Sequence, residues 1–179
     1  TKAAVKATRR PAATAGTDIE EVSAMNNAVA AIVPVTVRAQ RAFAHRPSEI
    51  LAAYGDVRRR GRWQADPGEI FVVESHDFRV GGIDRFVYRS LHYPALAGTV
   101  RYERIDDEGI VYTRRLADPD GLTMVLSVVS WNLRSCSTGT EVTVVEHTTS
   151  LDGSAPIEGS EYRLKTLLDR LGFHLSSSR

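Results

Sequence analysis

One cysteine, Cys136, stands in this chain of 179 residues. An intrachain disulfide and a cysteine-built zinc site are therefore both excluded. A lone thiol fits a reducing cytoplasm, and a cytoplasmic location is the expectation. The five histidines, at 45, 76, 92, 147 and 174, show neither HxxxH nor HxH spacing, so no metal site is expected. Walker loop and dinucleotide fingerprint are both missing, so no cofactor is expected either. Runs of apolar residues fall well short of the ~18 that a membrane-crossing helix needs. Charge is nearly balanced, with 23 basic and 22 acidic side chains. Nothing in that balance favours nucleic acid or an anionic membrane as a partner. Aromatic residues are absent from the first 42 positions, the first being Phe43.

That last absence marks a boundary. The opening "TKAAVKATRRPAATAGT" is Ala, Thr, Lys and Arg, without the apolar core of a secretory signal. A flexible tail and a basic organellar presequence share this composition. Further along, Ile19, Val22, Met25, Val29 and Ile32 recur at three- and four-residue steps, a helical spacing across 18–32. Residues 1–34 are read as a flexible extension carrying that short helix, and 35–176 as one folded domain.

From Val35 the pattern is regular. "VTVRAQRAF" alternates and predicts a strand over 35–43. Two short helices follow, "SEILAAY" behind Pro47 and "DVRRRGRW" ending at Trp63. Six strands come next, joined by turn-rich connections such as "DDEG", "DPDG" and "CSTG", which predicts an antiparallel meander. In "PIEGSEYRLKTLLDRLGFHL", Leu164, Leu167, Leu168, Leu171 and Leu175 recur with helical period. The expectation is an α+β fold: a curved antiparallel sheet of about seven strands around one long C-terminal helix. A twisted sheet that curls about a helix leaves a gap, and such gaps hold ligands.

"RAFAHRPSEILAAY", "DFRVGG", "GTEVTVVEHT" and "LKTLLDRLG" together resemble the heat-shock-protein-90 ATPase activator homologues of the START-like (SRPBCC) superfamily. The likeness runs from about residue 35 to 174. It implies a helix-grip fold with a cavity beneath the C-terminal helix. Within that family the Ala- and Arg-rich composition is similar to that of enediyne self-sacrifice resistance proteins. That likeness implies binding of an enediyne and its inactivation by hydrogen abstraction from a glycine Cα, with backbone cleavage and no turnover.

The segment "RVGGIDRFVYRS" alternates after its glycine pair. Phe86 and Tyr88 fall on the inward face, Arg85 and Arg89 on the outward one. Six aromatics are candidates for the ligand surface: Trp63, Phe86, Tyr88, Tyr102, Tyr112 and Trp131. Flat apolar rings with a hydrogen-bonding edge suit a polyketide-type natural product. Four hairpin glycines are candidates for the sacrificial position: Gly82, Gly109, Gly121 and Gly139. No catalytic residue is assigned. Asp106, Asp107 and Glu108 form a hairpin tip, and Asp118 and Asp120 another. Arg58, Arg59, Arg60 and Arg62 read as a solvated helix face. Three functions fit: self-sacrificing resistance protein, general hydrophobic-ligand or chaperone-ATPase-activator-like protein, and polyketide aromatase or cyclase. The eukaryotic activators carry an additional N-terminal domain, which residues 1–34 do not supply. A cyclase needs polar groups inside the cavity, and no motif identifies them. Nothing sets an oligomeric state, and a monomer is assumed.

Overall fold

The computed structural model describes residues 32, 34–89, 95–151 and 160–177. The helical spacing over 18–32 and nearly all of the 1–34 extension lie outside them, as does the start of the C-terminal segment at Pro156. Strand β1 (Pro34–Phe43) leads into two short helices, α1 (Pro47–Gly55) and α2 (Val57–Trp63). Six strands follow: β2 (Ile70–Ser75), β3 (Ile83–Arg89), β4 (Leu96–Asp106), β5 (Gly109–Ala117), β6 (Thr123–Cys136) and β7 (Gly139–Ser150). Helix α3 (Ser160–Ser177) completes the fold.

All seven strands form one antiparallel sheet in the order β1-β7-β6-β5-β4-β3-β2. The meander accounts for β2 to β7, since short turns force neighbouring strands to pair. Strand β1 returns to pair with β7 over its whole length, Pro34 opposite Thr149 and Phe43 opposite Thr140. The sheet is curved and unclosed, and irregular register at Val73/Ser75, Tyr102/Arg104 and Leu116/Ala117 helps it bend. Its concave face takes every second residue. Val142 and Val144 of β7 and Val129, Trp131 and Leu133 of β6 are buried there. Leu164, Leu168, Leu171 and Leu175 of α3 pack into the same core.

The glycine pair before β3 serves two different needs. Gly81 has a φ of +78°, a conformation that strains any residue with a Cβ. Gly82 has an ordinary φ, but a Cβ there would overlap the Asp77 carbonyl oxygen. Both are tied to the neighbouring strand: Gly81 N–H donates to the Tyr102 carbonyl (2.7 Å), and Tyr102 N–H donates to the Gly82 carbonyl (3.1 Å). The pair thus folds the β2–β3 connection against β4. Beyond it, Asp84 and Phe86 are buried, Tyr88 is half-buried, and Arg85 and Arg89 are exposed, as the alternation predicts.

Candidate functional site

Between the concave sheet and α3 lies a cavity of about 230 Å³. Ligand cavities run from about 300 to 1,000 Å³, so this one suits a small polycyclic body rather than a large glycosylated molecule. Its apolar wall comes from β1, β4, β6 and β7, through Val37, Val100, Val129 and Val144, with Leu164 and Leu167 of α3 opposite.

Tyr54 of α1 anchors the aromatic part. Its ring lies 5.3 Å from Trp131, 5.7 Å from Phe78 and 6.3 Å from Tyr112, centroid to centroid. Such tilted and edge-on arrangements suit the ring quadrupoles. Burial holds the Tyr54 hydroxyl well above its ordinary pKa, and neighbouring Tyr112 adds to that. Burial raises Tyr112 as well. Both rings therefore present neutral hydroxyls.

Of the six aromatics expected at the ligand surface, Phe86, Tyr88, Tyr112 and Trp131 line the cavity. Trp63 and Tyr102 are buried beside it and are not part of its lining. Trp63 packs behind Tyr54 and Trp131, at 6.1 Å from each. Tyr102 belongs to a polar cluster described below. None of the four candidate glycines lines the cavity. Gly82 precedes β3, Gly109 and Gly139 begin β5 and β7, and Gly121 sits in the β5–β6 turn. Gly98 of β4 backs onto the lining residue Phe86, whose ring sits where a Gly98 side chain would be.

Two polar clusters were not anticipated. The first centres on Asp84, fully buried on β3. Arg60 Nη1 donates to its Oδ2 (2.7 Å), and so does the Tyr102 hydroxyl (2.6 Å). His76 Nδ1 and the Asp77 backbone N–H reach its Oδ1, at 2.9 and 3.0 Å. Burial pushes the Asp84 carboxyl up, but the Tyr102 hydrogen bond, the Arg60 charge and the Asp77 amide outweigh it and hold the pKa below its ordinary value. Arg60 corrects the reading of its cluster as a solvated face: it is only 1% exposed, whereas Arg58 and Arg59 are exposed. Its guanidinium also lies 5.1 Å from the Tyr54 ring centre.

The second cluster crosses three strands on the cavity wall. Arg114, Ser127 and Thr148 sit side by side on β5, β6 and β7. All three converge on Glu146: Arg114 Nη2, Ser127 Oγ (3.1 Å) and Thr148 Oγ1 (2.6 Å) donate to the same carboxylate oxygen, Oε1. The rim is held by Arg163 of α3, whose Nη2 donates to the Tyr88 hydroxyl (2.6 Å) and which faces Asp66 and Glu69. Arg170 ties α3 to the end of α2 through the Trp63 carbonyl (2.8 Å) and Asp66.

Among the described residues no group of three His, Cys, Asp or Glu side chains could hold a metal ion, and no helix is long and apolar enough to cross a membrane. A curved seven-stranded sheet carrying a C-terminal helix over a cavity fits a helix-grip fold. Solved structures share the architecture. The chain superposes on protein Mll3558 from Rhizobium loti with a TM-score of 0.69 at 26% identity, covering 80% of this chain and 99% of that one. Protein CV1439 from Chromobacterium violaceum matches with a TM-score of 0.69 at 22% identity, over 78% and 96% of the two chains. A Rhizobium leguminosarum protein reaches a TM-score of 0.71 at 20% identity, over 82% and 97%. These likenesses show the fold. No family model and no curated protein matches the sequence.

Proposed function

We propose that this protein binds a flat hydrophobic small molecule in the cavity beneath α3, as a binding protein without turnover. The observation that carries this reading is the cavity itself, about 230 Å³ walled by valines, leucines and the Tyr54–Tyr112–Trp131 cluster. Apolar surface of this kind attracts a ligand at ~25 cal/mol per Å² removed from water. Titration with the tricyclic hydrocarbon fluorene is expected to change tryptophan emission saturably, because Trp131 lines the cavity and Trp63 lies directly behind it. Unchanged emission at the solubility limit would contradict the proposal.

Membership of the activator-homologue family rests on the sequence resemblance and accords with the fold. The narrower reading, an enediyne quenched at a glycine Cα, draws on the same resemblance, and the apolar cavity supports its binding half. Its chemical half needs a glycine Cα–H close to the bound diradical. Gly82, Gly109, Gly121 and Gly139 lie outside the cavity lining, so the cavity supports binding and not this chemical step. Incubation with a thiol-activated enediyne, followed by mass measurement of fragments, separates the two. One dominant backbone break at a glycine supports self-sacrifice, and an intact chain leaves binding alone. The cyclase reading gains one observation, the Arg114–Ser127–Glu146–Thr148 cluster on the cavity wall. Conversion of a linear polyketone by the intact protein would establish it.

A further inference from the structure

Glu146 is 92% removed from solvent, at 8% exposure, and lines the cavity. A carboxylate in such a place needs its lone pairs satisfied, because an unpaired buried acceptor carries its full desolvation penalty. Its two oxygens are treated very unequally. Oε1 accepts from Arg114, Ser127 and Thr148. No described residue donates to Oε2. Glu146 lines the cavity, so Oε2 is the carboxylate oxygen left without a described donor at its wall. The three donors fix the carboxylate's orientation and leave one oxygen for an occupant.

Charge narrows the occupant further. Arg114 already neutralises Glu146, with its guanidinium on the same carboxylate. A cationic ligand group would meet that guanidinium, and an anionic group would meet the carboxylate. A neutral hydrogen-bond donor meets neither penalty. Across the strands the register sets Glu146 directly between two apolar residues, Val37 of β1 and Val129 of β6.

We infer that Glu146 Oε2 is a recognition site for a hydroxyl group on an otherwise apolar, uncharged ligand, a phenol or alcohol seated in the cavity. The inference rests on the binding function proposed above and adds the polar chemistry of the ligand. It also gives the cross-strand row a purpose, since Arg114, Ser127 and Thr148 hold the acceptor in place.

Four tricyclic probes of nearly equal size test it by calorimetric titration of the full chain: fluorene, fluorenol, fluorenone and fluorenecarboxylate. A hydrogen bond to a charged acceptor contributes ~1.5 kcal/mol or more, so fluorenol is expected to bind about tenfold tighter than fluorene. Fluorenone, with an acceptor and no donor, is expected to bind no better than fluorene. Fluorenecarboxylate is expected to bind weakest. The Glu146→Gln variant keeps an amide oxygen for Arg114 and can turn its NH2 toward the cavity. There the fluorenol preference should vanish and fluorenone should become the tighter ligand. If this variant does not fold, the ranking on the unaltered protein still decides. Equal affinity for fluorene and fluorenol, or tightest binding of the carboxylate, overturns the Glu146 site and leaves the cavity function standing. Failure of all four probes to bind overturns both.

Discussion

Replacing Asp84 by alanine is expected to lower the unfolding free energy by about 3–5 kcal/mol, the usual cost of removing one partner from a buried ion pair. The carboxylate is completely enclosed, accepts hydrogen bonds from Arg60, Tyr102 and the Asp77 amide, and has His76 Nδ1 at 2.9 Å. Its loss strands the Arg60 guanidinium inside the protein, 1% exposed. It also frees the Tyr102 hydroxyl and loosens the β2–β3 connection that the Asp77 amide anchors. Urea titration of both proteins measures the difference. A double variant, Arg60→Met with Asp84→Leu, should recover much of the loss, since it removes both charges. An unchanged midpoint in Asp84→Ala would show that Arg60 finds water or another partner.

The same carboxylate sets a pH dependence. Its folded-state pKa is depressed, so its contribution is present above the ordinary carboxylate pKa of about 4 and is lost as pH falls through the lower folded value. The acid side of the stability profile should therefore be steeper in the unaltered protein than in Asp84→Asn.

Phe86→Ala is expected to cost about 3–5 kcal/mol and to enlarge the cavity. The ring is buried, lies 4.9 Å from the Phe71 ring and occupies the space over Gly98, its cross-strand partner. Gly98→Ala should cost about 1–3 kcal/mol for the opposite reason, because the added methyl overlaps that ring. The two positions are coupled. Gly98→Ala in a Phe86→Leu background should cost clearly less than Gly98→Ala alone, since the smaller side chain leaves room. Thermal and urea unfolding of the four proteins in the cycle gives the coupling energy. Strict additivity would mean that the ring moves aside freely and does not hold the cavity wall.

The elements of the fold were legible because each obeys a local period. The inward set Val142, Val144 against the outward set Glu141, Thr143 is plain from β7 alone. The partner of β1 was not legible, since its pairing with β7 joins residues a hundred positions apart. Four of the six aromatics expected at the cavity line it, and Tyr54, the anchor of the cluster, was passed over inside a short helix. A signal existed: Ile50, Ala53 and Tyr54 stand at helical spacing and are all buried.

The charged residues teach the sharper lesson. Runs and turns hold Asp106 to Glu108 and Arg58 to Arg62, which read as a hairpin tip and a solvated helix face. The charges that matter interrupt an apolar phase instead. Asp84 shares the inward face of Phe86, and Arg114 follows Tyr112 and precedes Leu116 in the inward phase of β5. Glu146 follows Val142 and Val144 in β7. Arg60 stands three residues from Trp63, and both are buried. A charge in phase with buried residues must find a partner across the fold, and which partner depends on packing that one strand does not encode.

The cavity beneath α3 is tested most directly by methyl nuclear magnetic resonance during titration with fluorene. Shifts are expected at Val37, Val100, Val129, Val144, Leu164 and Leu167, which face the cavity. The methyls of Leu126 and Val128, exposed outside that lining, should stay in place. Shifts at Leu126 and Val128 without shifts at the six inner residues would put the ligand on the wrong side of the sheet and contradict the account.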